Sequence, residues 1–134
     1  MSDHVVIKSA DRGAVLELCA PTSAGPFRAR LRGEGFDGTV EVYELAPPIE
    51  LAEFFRDLAD HWRGWSGDKR WGSLEDHLCF TATSDSTGHT HLVVELRSGP
   101  FYDWCLRGSL IIEAGQLEQI AAEVERFVSY NHAA

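Results

Sequence analysis

"TVEVYELAPPIELAEFFRDLADHWRGW", residues 39–65, changes its hydrophobic period part-way along. Over 39–45, Val40 and Val42 point one way while Glu41 and Tyr43 point the other, the period of two of a half-buried strand. Pro47 and Pro48 end that run and suit the first positions of a helix. Leu51, Phe54, Phe55, Leu58, Trp62 and Trp65 then recur at helical spacing and form one stripe. Glu50, Glu53, Asp57 and Asp60 lie off the stripe, with acids early, where the helix dipole favours them. Gly64 is placed for a left-handed cap, and the residue after such a cap commonly folds back on the last turn. On this reading Trp62 extends the buried stripe and Trp65 closes the helix end. Trp71 follows an exposed turn at 66–69, and Ser73 caps a short helical turn in "SLEDHL". Large aromatics dominate core energetics, so the three tryptophans are core material first and a ligand platform second.

Working outward, "HVVIKSA" (4–10) and "AVLELCA" (14–20) flank the turn signal "DRG". "FRARLRG" (27–33) alternates cleanly, with Phe27, Ala29 and Leu31 opposite Arg28, Arg30 and Arg32. The glycine-rich "GEGFDG" (33–38) reads as a turn into the next strand. Beyond the helix, "HLCFTAT" (77–83) and "HTHLVVELR" (89–97) read as a hairpin across the turn 84–88, followed by a strand in 102–114. Leu117, Ile120, Ala121, Val124, Phe127 and Val128 mark a final helix. The order predicts an α+β fold: a single domain, 1–134, with an antiparallel sheet of about seven strands and two helices packed on one face.

Composition narrows the function. A net charge of −9 argues against nucleic-acid backbone and against anionic lipid, and it favours a basic partner. No apolar run approaches the ~20 residues that span a bilayer, and the N-terminus has no signal-peptide pattern. Three cysteines, Cys19, Cys79 and Cys105, lie far apart with no CxxC pairing, so a reduced, cytoplasmic protein is expected.

No catalytic signature emerges, and a non-enzymatic protein without cofactor is expected. His89, His91 and Glu95 share one strand face, and the run H-x-H-x3-E has the ligand spacing of the first cupin motif, but the later ligand histidine is missing. The only histidine beyond that hairpin is His132. The bland reading, a solvated strand face, is preferred and a metal site is kept as the alternative. Cys79 lies two residues from His77, too weak a pairing to argue for a nucleophile. Glu41 is expected to pair across to the arginine row.

With both helices on one side, the other sheet face has no cover. By parity it displays Arg28, Arg30, Arg32, Tyr43, Arg97 and Arg107, the candidate partner-binding residues. His89, His91 and Glu95 stand on the same face.

Several phrases carry a resemblance: the amphipathic helix, Ser73-Leu74-Glu75 before a strand, Gly88-His89 opening the next, Trp104, and Gln116-Leu117 starting the final helix. Together they resemble an uncharacterised family of small bacterial domains that is similar to the WapI-type immunity proteins of contact-dependent toxin systems. The resemblance implies a protein-binding domain that neutralises a toxin by occupying it, and the acidic charge suits a basic toxin domain. Two alternatives stay open: a small-molecule or metal-binding protein using the sheet face around His89, His91 and Glu95, and a self-associating module, a homodimer.

Overall fold

The computed structural model describes residues 3–21, 25–44, 48–85 and 87–133, with the backbone only for 130–133. Leu45 and Pro47, expected to end a strand and begin a helix, and the side chain of His132 lie outside the described residues.

Four strands come first: β1 (His4–Lys8), β2 (Ala14–Cys19), β3 (Phe27–Gly33) and β4 (Phe36–Val42). Helix α1 (Ile49–Asp60) follows, then β5 (Asp68–Gly72), β6 (Leu78–Ser84), β7 (His89–Arg97) and β8 (Cys105–Glu113). Helix α2 (Ala114–Ala133) ends the chain. The α+β class and both helices are as expected. The single sheet of about seven strands is not. The strands form two four-stranded antiparallel meanders, β1-β2-β3-β4 and β5-β6-β7-β8.

Two local misreadings account for the difference. Residues 66–69 look like a turn because Ser66, Gly67 and Asp68 are turn formers, yet β5 starts at Asp68. Its inward side is built from Lys69 and Trp71. Trp71 stacks on Phe80 at 5.5 Å, and the Lys69 ammonium lies 5.5 Å from the Trp65 ring and 2.8 Å from Asp57. A lysine at an inward position hides the alternation, because its stem packs while its charge reaches a carboxylate. The second misreading is "GEGFDG": only Glu34 and Gly35 turn, and Phe36 already pairs with Gly33. With β5 in place, the chain order is four strands and a helix, twice over.

The inner faces of both sheets are dry. Leu16, Leu18, Ala29 and Leu31 from the first, and Ala82, Leu92, Val94, Leu96 and Leu110 from the second, are fully buried. Each such leucine or valine contributes roughly 1.5–3 kcal/mol of transfer free energy, largely offset by the entropy of ordering the chain. The sheets meet at Gly38, where a methyl group would come within 2.7 Å of Leu106 Cδ2 and 3.4 Å of the Trp104 ring. Glycine there permits the close approach.

Both helices close the core from the inner side. Phe54 and Phe55 of α1 meet Phe80 at 5.7 and 5.3 Å, and Phe127 of α2 meets Phe27 edge-on at 5.5 Å. Thus α1 packs on the second sheet and α2 on the first. Between them, Arg56 donates to Glu118 at 2.8 Å and to Glu125 at 2.7 and 3.0 Å.

Of the three tryptophans, Trp65 and Trp71 pack against the core, but Trp62 is 51% exposed. Helix α1 stops at Asp60, so the helical period no longer governs position 62. Ser73 is buried without capping a helix: its hydroxyl accepts the Leu78 N–H at 3.2 Å and closes the β5–β6 connection.

The sheet edges differ. On β8, the Ile111 N–H donates to Ser9 Oγ at 2.9 Å and the Ile111 carbonyl accepts the Ala10 N–H at 2.8 Å. This ties the edge of the second sheet to the first and shields it from foreign strands. Strand β4 is also an edge, and among the described residues its outward side has no strand or loop paired to it.

Candidate functional site

A groove of about 680 Å³ runs beside that free edge. One wall is Thr39, Val40, Glu41 and Tyr43, from β4 and its continuation. The other comes from two loops of the second sheet: Glu75 and His77 before β6, and Ser98, Gly99, Pro100 and Trp104 between β7 and β8. That volume falls within the roughly 300–1,000 Å³ usual for ligand sites.

The loop 98–104 is held by its own hydrogen bonds. The Ser98 N–H donates to the Trp104 carbonyl, and the Trp104 N–H donates to Ser98 Oγ, both at 3.0 Å. The Gly99–Pro100 peptide is cis, and Tyr102 has a φ of 54°. The Tyr102 hydroxyl reaches across to the Glu75 carbonyl at 2.8 Å, which fixes the two loops to each other. Gly99 lies directly against the imidazole of His77: a methyl group there would sit 2.4 Å from Nε2.

His77 is 8% exposed and lies between aromatic rings, with Tyr43 at 6.4 Å and Tyr102 at 5.9 Å. Its ring makes no hydrogen bond among the described residues. Its ring nitrogens keep some access to solvent, since among the described residues the buried side-chain polar atom without a partner is Trp65 Nε1, and the ring borders the groove. Around it the apolar surface is unusually open: Tyr43, Phe101, Tyr102 and Trp104 are all exposed, Phe101 by 81%. Such a cluster marks a contact surface more often than isolated exposed residues do.

The electrostatics are acidic. Glu41 accepts the Tyr43 hydroxyl at 3.1 Å, and that hydrogen bond, with the negative charge behind it, pushes the phenol above its ordinary range. Glu75 is exposed on the opposite wall. Just beyond Tyr43, burial raises the Glu44 carboxyl, with a hydrogen bond from the Leu74 backbone pulling the other way.

The candidate residues read from sequence are divided by the two-sheet architecture. Arg28, Arg30 and Arg32 lie on the outer face of the first sheet, and Arg97 and Arg107 on that of the second. Tyr43 alone of the six lines the groove. Arg30 donates to Asp37 at 2.9 and 2.6 Å, and those hydrogen bonds, with the charge behind them, hold that carboxyl below the usual range. Arg32 donates to Glu17 at 2.9 Å. Glu41 stands opposite Arg28 in register, but its carboxylate takes the Tyr43 hydroxyl instead of the guanidinium. On the second sheet Arg97 donates to Glu95 at 2.9 Å.

His89, His91 and Glu95 share the outer face of β7, but they are not drawn together. Glu95 is engaged by Arg97, whereas both histidines turn to Asp85, at 3.5 Å for His89 and 3.3 Å for His91. Among the described residues, no group of three or more His, Cys, Asp or Glu is arranged to hold a metal ion. Cys79 faces Asp76 and not His77, and burial pushes its thiol up, away from the reactive thiolate.

The loop "GPFYDW" (99–104) is the part of the site that parity reasoning passes over. Its signal is compositional: three aromatics in four residues after Gly-Pro, where no strand or helix period calls for them.

The fold and groove define a small α+β domain with a lateral, aromatic-rimmed cleft. Residues 7–131 match the model of DUF6228, a family of unknown function, and the chain belongs to that family. No curated protein matches it. Among the described residues, no helix is long and apolar enough to cross a membrane.

Proposed function

We propose that this chain is a non-enzymatic protein-binding domain, and that its partner engages the groove beside β4. The observation that carries this reading is a cleft lined by the exposed rings of Tyr43 and Trp104 and bordered by His77, with Phe101 and Tyr102 exposed in the loop that forms one of its walls. Interface centres are enriched in tyrosine, tryptophan and phenylalanine. The paired arginines of the sheet faces offer fewer free groups, since most are already neutralised within the chain. The resemblance to WapI-type immunity proteins gives this reading its specific form, a toxin domain as the partner, and the net charge of −9 suits a basic one.

A photo-crosslinking amino acid at position 101, compared with one at position 107 on the outer sheet face, tests the proposal in lysate of the native host. The expected result is one protein crosslinked from position 101 and not from 107. Crosslinking from 107 alone, or from neither, overturns it. A toxin-like gene beside this one would support the immunity form, and its absence would remove that form.

A further inference from the structure

Resting on that reading, we infer that the groove's occupant is an extended basic segment of the partner, lying along β4 with an arginine or lysine side chain inserted beside His77. Three observations converge on that chemistry. First, the groove borders a strand edge whose outward backbone groups are unpaired among the described residues, and such an edge accepts an extended polypeptide by strand addition. Thr39, Val40 and Glu41 supply that edge.

Second, the side-chain walls combine aromatic faces with carboxylates. Tyr43 and Trp104 offer π surface, and Glu41 and Glu75 offer negative charge from opposite walls. A cation held over an aromatic face gains roughly 0.5–2 kcal/mol, more as water is excluded. A carboxylate ligand would instead meet like charge. Among the described residues, the groove's lining holds no lysine or arginine to receive one.

Third, His77 is more than nine-tenths buried, borders the cleft and makes no hydrogen bond among the described residues. In this proposal one of its ring nitrogens, which keep some solvent access, accepts the incoming N–H. Gly99 leaves the space that holds the ring in place. Guanidinium fits these groups better than ammonium, because its planar fork stacks on an aromatic ring while donating to two acceptors at once. The net charge of −9 steers such a segment inward at low salt.

The probe is the blocked pentapeptide Val-Arg-Val-Arg-Val, with Val-Glu-Val-Glu-Val as its counterpart, titrated into the intact chain and followed by NMR. The basic peptide is expected to bind saturably, to shift the Tyr43, His77 and Trp104 side-chain signals and the Thr39–Glu41 amides, and to weaken as salt rises. Glu41→Gln and Glu75→Gln together are expected to weaken it by about tenfold or more. Both positions are exposed, so the variant should keep its melting temperature, and an unchanged circular dichroism melt confirms that the loss is one of recognition. Equal binding of both peptides, shifts confined to the sheet faces, or binding that ignores the double variant overturns the inference. So does light scattering that shows β4 covered by a second copy of this chain. A protein crosslinked from position 101 whose binding ignores salt and the double variant would overturn the basic-segment inference alone. Absence of any crosslinked partner would overturn the underlying reading.

Discussion

Gly99 and His77 form a pair in which one residue's missing side chain is the other's position. Adding a methyl group to Gly99 places it 2.4 Å from Nε2, and Pro100 behind it leaves little room to yield. Gly99→Ala is therefore expected to cost about 1–3 kcal/mol, the range for overpacking, read as a lower urea midpoint with an unchanged slope. The His77 ring signals should shift in the same variant. Tyr43 reports the charge of the groove more directly. Its phenol donates to Glu41, which favours the protonated form, so its ultraviolet titration should fall above the ordinary tyrosine value of 10.0. Glu41→Gln is expected to bring that titration back down, and Tyr43→Phe identifies which of the three tyrosines is being read. A Tyr43 titration indifferent to Glu41→Gln would refute the contact.

At the scale of elements, the turn between β6 and β7 depends on Asp85. Its carboxylate accepts the Thr87 hydroxyl and N–H, both at 2.7 Å, and the His89 N–H at 3.1 Å. These bonds, first of all that from the Thr87 hydroxyl, favour the charged form and hold the group well below the ordinary carboxylate range. A depressed carboxyl stabilises the fold fully above its unfolded value of 3.8 and loses that contribution as pH falls through the folded value. Asp85→Asn should therefore melt earlier than the parent near neutral pH, and the gap should narrow as pH falls below 3.8. Melts at about pH 7 and about pH 2 test the sign. The elements also show what a sequence can disclose. Strands β3 and β7 were legible to the residue because their alternation is strict, and α2 was legible because its apolar stripe is unbroken. Strand β5 was not, since a lysine occupies an inward position and its partner, Asp57, is remote in sequence. The open-face arginines could be read from parity, but their division between two sheets follows from long-range contacts such as Gly38 on Leu106, which carry no local period. Of the groove's lining, only Tyr43 was among the candidate partner-binding residues.

For the whole molecule, Phe80 is the residue on which α1 and the second sheet converge. It meets Phe54, Phe55 and Trp71, all between 5.3 and 5.7 Å. Phe80→Ala should cost about 3–5 kcal/mol, a large share of the 5–15 kcal/mol available to a domain of this size. Urea unfolding followed by far-ultraviolet circular dichroism measures it, and a loss below about 1 kcal/mol would mean that the core repacks around the gap. Phe101 stands at the opposite extreme, 81% exposed. Phe101→Ser should change the unfolding free energy by no more than about 0.5 kcal/mol. The most exposed large hydrophobic among the described residues is thus nearly irrelevant to folding. On the proposed reading, a lineage carrying this scaffold can exchange that residue, generation after generation, and retune whom it recognises while its descendants still reach their native shape.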